Sequence, residues 1–120
     1  MNYSQFSILY DEACTYDDFD MFVAERGWQE WMDKYVSQNE DSEDTTVIVN
    51  VLTKIYDFAK GDIRSIRKST GKSMKAFAKL YDIPERTLQD WEYGKNRMPE
   101  YTKKLIVYTM IEDVTGDVNE

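Results

Sequence analysis

The side chains with most to offer a ligand fall between residues 72 and 97. Lys72, Ser73 and Lys75 form a first group, Glu85, Arg86, Thr87, Gln89 and Asp90 a second, and Lys95, Asn96 and Arg97 a third. Ammonium and guanidinium groups hold phosphate oxygens, and Arg, Thr and Gln also reach base edges. A carboxylate such as Glu85 or Asp90 accepts from a cytosine amino group but repels phosphate. The plainer alternative is helix capping by Ser73 for the first group, a solvated helix face for the second and an ordinary surface loop for the third.

Other chemistry is thinner. The chain has no His, which excludes an imidazole base, a His-ligated zinc and a Ser-His-Asp triad. The acids Glu40, Asp41, Glu43 and Asp44 lack the glycine and spacing of a calcium loop, so no metal site is expected. Cys14 is the one cysteine. It excludes an internal disulfide, is consistent with a reducing compartment, and is expected to act as a small hydrophobe. No nucleophile–base pair and no phosphate loop appears, so neither catalysis nor a cofactor is expected.

Charge separates the chain into parts. The net charge of −8 over 120 residues argues, taken alone, against a nucleic-acid binder. Residues 1–59 carry a net −10, residues 60–104 a net +6 and residues 105–120 a net −4. A basic segment between two acidic ones implies a cationic surface on one part and a different role for the rest. No run approaches the roughly 20 apolar residues of a membrane span, and Met1–Tyr10 has no basic head, so neither a membrane anchor nor a signal peptide is expected. The expected location is cytoplasmic.

The elements that would position these groups are helical. Phe6, Leu9, Tyr10 and Ala13 share one face of a helix over Tyr3–Ala13. Thr15 or Asp17 can cap a second helix bearing Phe19, Phe22 and Val23 and ended by Gly27. Trp28, Trp31, Met32 and Tyr35 follow at helical spacing, with the two tryptophans expected in the core, and Ser37–Thr45 is expected as an exposed acidic loop. From Thr46, the stripe Ile48, Val51, Leu52, Ile55 and Ala59 runs past any usual strand length, which favours helix over strand. Asp62 caps the next helix and Gly71 takes its left-handed end. Ser73 caps a helix with Met74, Phe77, Ala78 and Tyr81 on one face. Asp82 supplies a turn residue that tolerates positive φ. Pro84 opens a helix with Leu88 and Trp91 inward and Gly94 at its end, and Pro99 opens a last one to about Asp113. Tyr101, Leu105, Tyr108 and Val114, flanked by Ile106, Val107, Met110 and Ile111, make that last helix apolar over more than one face. The surplus face must meet the N-terminal helices or a second copy of the chain.

The stretch "IRSIRKSTGKSMKAFAKLYDIPERTLQDWEYGKNRMPEY" resembles Xre-type, phage-repressor-like helix-turn-helix regulators. The matching positions are Arg67, Lys68, Thr70, Gly71, Ser73, Phe77, Ala78, Ile83, Pro84, Arg86, Thr87, Trp91, Glu92, Gly94, Lys95, Pro99 and Tyr101, within about residues 48–113. Met74 replaces a usual Gln that reaches phosphate, and Asp82 replaces a usual turn Gly. The resemblance implies a structural, bracing role for Glu92 and a second helix, from Pro84, that enters the major groove.

The expectation is therefore an all-α protein of about seven helices. An acidic helical segment, residues 1–45, precedes a five-helix, repressor-like DNA-binding domain, residues 46–120. The implied function is sequence-specific binding of double-stranded DNA and transcriptional repression as a homodimer, with DNA contacts from Lys72, Ser73, Lys75, Glu85, Arg86, Thr87, Gln89, Asp90, Lys95, Asn96 and Arg97. The alternative is an inhibitor or antitoxin, of the kind a mobile element encodes. Its acidic N-terminal part binds a protein target while the helix-turn-helix autoregulates.

Overall fold

A computed structural model describes residues 1–26 and 44–115. Those residues form seven helices and no strand, so the chain is all-α. They are α1 (Tyr3–Thr15), α2 (Phe19–Arg26), α3 (Asp44–Lys60), α4 (Ile63–Ser69), α5 (Met74–Leu80), α6 (Glu85–Glu92) and α7 (Glu100–Thr115). The expected helix over Trp28, Trp31, Met32 and Tyr35, its preceding Gly27, and Ser37–Glu43 of the acidic stretch lie outside the described residues. No helix among the described residues is long and apolar enough to cross a membrane.

The chain divides into two compact units, Met1–Lys60 with Val107–Glu120, and Gly61–Ile106. In the first, α1 buries Phe6, Leu9, Tyr10 and Ala13, the four residues its spacing singles out. Asn2 starts this helix with a capping box: its side chain accepts from the Gln5 N–H and the Gln5 side chain accepts from the Asn2 N–H, each at 2.9 Å. α3 buries Ile48, Leu52, Ile55, Phe58 and Ala59 and packs chiefly on α1. It begins at Asp44, so Thr45, expected in the loop, is helical.

α2 is capped by neither Thr15 nor Asp17. The Asp18 carboxylate accepts from the Asp20 N–H at 2.8 Å, because Asp18 directly precedes the helix. The Thr15 hydroxyl instead donates back to the Glu12 carbonyl at 2.7 Å. Phe22 is fully buried, and Phe19 and Phe22 both lie against Tyr56, with ring centroids 5.4 and 5.6 Å away. The Tyr56 hydroxyl donates to the Tyr16 carbonyl at 3.1 Å. Burial, then the nearby carboxylates of Asp17, Asp18 and Asp57, hold its pKa above the usual phenol value.

The later part of α7 belongs to this unit. Tyr108 meets the rings of Tyr3 and Phe6, both at 5.2 Å, and Val107 and Ile111 are fully buried. The apolar excess of α7 is thus largely consumed within the chain. Among its described side chains, the large apolar residues left in solvent are Tyr101 and Leu105, at 70% and 49% exposure.

The second unit is built on Ile63, Ile66, Phe77, Ala78, Leu88 and Ile106. α6 packs against both α5 and α4. Asp62 caps α4 as expected, accepting from the Ser65 N–H at 2.8 Å. Hydrogen bonds from Ser65 lower the Asp62 pKa, against a smaller opposing effect of burial and with help from the charge of Lys103. The sign follows directly: the capped carboxylate stabilises the fold above the unfolded carboxyl pKa, and that contribution is lost as pH falls through the lower folded value.

Candidate nucleic-acid interface

The candidate residues hang on two hydrogen-bonded helix ends and one ion pair. α5 starts at Ser73, whose hydroxyl oxygen accepts from the Ala76 N–H at 3.1 Å. It ends in a Schellman motif. The Ile83 N–H donates to the Ala78 carbonyl at 2.9 Å and the Asp82 N–H to the Lys79 carbonyl at 3.2 Å. That arrangement requires a left-handed residue, and Asp82 takes it with φ 57°. The turn then delivers Pro84, which precedes α6 rather than forming its first residue; the Pro84 carbonyl accepts from the Leu88 N–H at 3.1 Å.

α6 is one-sided. Leu88 is fully buried, while Glu85, Arg86 and Gln89 are exposed and Thr87 and Asp90 half-buried. Trp91, expected inward, is half-buried: it lines an open cavity of about 430 Å³ together with Ile63, Met98 and Lys103. The helix ends in a second Schellman motif, with the Lys95 N–H on the Asp90 carbonyl at 2.9 Å, the Gly94 N–H on the Trp91 carbonyl at 3.3 Å, and Gly94 at φ 78°. Lys95, Asn96 and Arg97 follow, all exposed.

Arg67 locks the end of α6 to the start of α5. Its Nε and Nη2 donate to the two carboxylate oxygens of Glu92 at 2.6 and 3.0 Å, and its Nη1 donates to the Lys72 carbonyl at 3.0 Å. The Glu92 side chain is 1% exposed and that of Arg67 13%. Hydrogen bonding to Glu92 holds the Arg67 pKa above its usual value. A forked pair of this kind fixes direction as well as distance. Glu92 is therefore a structural brace, and one guanidinium ties together α4, the Lys72 backbone and α6. Sequence spacing gives no sign of the partnership, since the residues are 25 apart.

The three groups of candidate residues are therefore placed by a common framework. Lys72, Ser73 and Lys75 are exposed at the start of α5, with Ser73 committed to the cap. Arg86, Asp90, Lys95 and Asn96 are brought together around the Asp90 side chain and carbonyl. Its carboxylate accepts from Arg86 Nε at 3.3 Å and from Asn96 Nδ2 at 3.5 Å. Among the described residues, no side-chain hydrogen bond or ion pair joins Glu85, Thr87, Gln89 or Arg97 to that network. No group of three or more His, Cys, Asp or Glu that could hold a metal ion occurs among the described residues. Comparison of the chain with protein-family models, curated proteins and solved structures finds no match.

Proposed function

We propose that the chain is a sequence-specific DNA-binding regulator, acting as a repressor and as a two-fold homodimer, with α5 and α6 as a helix-turn-helix. The carrying observation is α6 itself: an eight-residue helix anchored by Leu88 and Glu92 that leaves Arg86 and Gln89 in solvent. In this proposal α6 lies in the major groove, where Arg86, Thr87 and Gln89 meet base edges. Lys72, Lys75, Lys95 and Arg97 hold phosphates on either side. Two copies on a palindromic site supply the length of sequence that one short helix lacks. Tyr101 and Leu105, exposed on α7, are apolar residues available to that contact. No catalysis is assigned.

The test is binding to duplex DNA from upstream of the chain's own gene, and to sites selected from random sequence. Arg86→Ala should weaken binding to the preferred site by about 1–3 kcal/mol if Arg86 meets a base. Unchanged affinity removes Arg86 from the base-reading set.

The acidic first unit supports a second reading, as the protein-binding part of an inhibitor or antitoxin. Asp11, Asp17, Asp18, Asp20, Glu25 and Asp57 are all exposed there, and Ile8 is 57% exposed on the same helix as Asp11. A basic protein surface is the complement of such a face. Capture of one specific partner by the full chain, lost on Asp17→Lys/Asp57→Lys and retained on Arg86→Ala, would favour it.

A further inference from the structure

Resting on the DNA-binding reading, we infer that Asp90 is a positioning residue that aims Arg86 at a guanine. Asp90 holds the guanidinium by Nε, at 3.3 Å. Nη1 and Nη2 have no hydrogen bond to any described residue, and the Arg86 side chain is 75% exposed. A guanidinium held at Nε presents its two Nη groups as an outward fork. That fork matches the O6 and N7 acceptors of guanine in the major groove. A lysine in this position could not be held and still present two donors in one plane.

Asp90 is itself well fixed. Its side chain is 19% exposed, its second carboxylate oxygen accepts from Asn96 Nδ2, and its carbonyl accepts from the N–H groups of Lys95 and Asn96. Each carboxylate oxygen thus has one intramolecular donor. Helix stability does not account for the pair. Arg86 is the second residue of α6 and Asp90 lies in its last turn. The cation is therefore near the positive end of the helix dipole and the anion near the negative end. The order, base before acid at i,i+4, is also the weaker one. A pair set against the dipole, at long hydrogen-bond distance, orients a side chain more than it holds a helix together.

The test uses the full chain and a duplex carrying its selected site, with each of the four bases placed in turn at the position most sensitive to Arg86→Ala. Wild type should prefer guanine by about tenfold or more. Asp90→Ala should lower that preference at least threefold. It should also raise affinity for random duplex, because one charge that repels phosphate is gone. Asp90→Asn keeps an acceptor for Nε and should retain most of the preference, which also covers a folding defect in the alanine variant. In an Arg86→Ala background, Asp90→Ala should change base preference no further. Full guanine preference in Asp90→Ala, or preference for another base in wild type, overturns the assignment of Asp90 while leaving DNA binding intact. Failure of wild type to bind any duplex overturns both.

Discussion

Glu92→Ala is expected to destabilise the fold by about 3–5 kcal/mol, the usual cost of removing one partner of a buried ion pair. The carboxylate is 1% exposed and both its oxygens are engaged by Arg67. Its removal leaves a guanidinium with one remaining bond, Nη1 to the Lys72 carbonyl. Arg67 is 13% exposed, so partial access to water places the loss toward the lower end of that range. Glu92→Gln keeps an acceptor and should cost less. Urea denaturation followed by circular dichroism reads both variants. A loss under about 1 kcal/mol for Glu92→Ala, as for an exposed pair, would show that the brace does not hold α6 in place.

Phe77→Ala should cost a similar amount, about 3–5 kcal/mol, by emptying a fully enclosed site. The ring is 0% exposed and lies 4.9 Å from that of Tyr81, on the helix that packs against α6. Since domains of this size are stable by about 5–15 kcal/mol, the variant should lose a large share of its stability. Leu80 is the internal control. It sits three residues on in the same helix at 58% exposure, so Leu80→Ala should stay within about 0.5 kcal/mol of wild type. Equal losses for the two variants in thermal denaturation would contradict the packing described for α5.

Local rules made much of this framework legible in the sequence. Asp62 and Ser73 cap the helices they were expected to cap. Asp82 adopts the positive φ that the turn requires, and Gly71 and Gly94 do likewise at their helix ends. Each of these outcomes depends on neighbours within about five residues, so the chain itself carries the information. The face of α1 and the helical state of α3 were legible for the same reason: a long apolar stripe has one period.

What depended on distant partners was not legible. The polar acidic stretch and the apolar run from Thr46 suggested a division at residues 45 and 46, whereas residues 46–60 fall in one unit with α1; the change of charge at residues 59 and 60 lies beside the observed boundary. Nothing in the spacing of α7 says that Tyr108 meets Tyr3 and Phe6. Trp91 looked like core by period, yet the buried stripe of this eight-residue helix is taken by Leu88 and the Glu92 side chain, and the indole is left at a cavity edge. In the candidate site, the exposure of Glu85, Arg86 and Gln89 followed from helical period. The engagement of Asp90 by Asn96 did not, because it is made by a loop that folds back after Gly94.

The DNA-binding reading is tested most directly by the affinity of the full chain for a duplex of its selected site across a range of salt concentrations. Lys72, Lys75, Lys95 and Arg97 are exposed cations placed around α6 in this reading. Each phosphate neutralised contributes about −0.9 to the slope of log affinity against log salt, so four such contacts give about −3.6 for each copy bound. A slope near that value, made shallower by about one for each copy when Lys72 or Arg97 is changed to alanine, is the expected result. Binding that is absent at 50 mM salt, or present with a slope near zero, would contradict it.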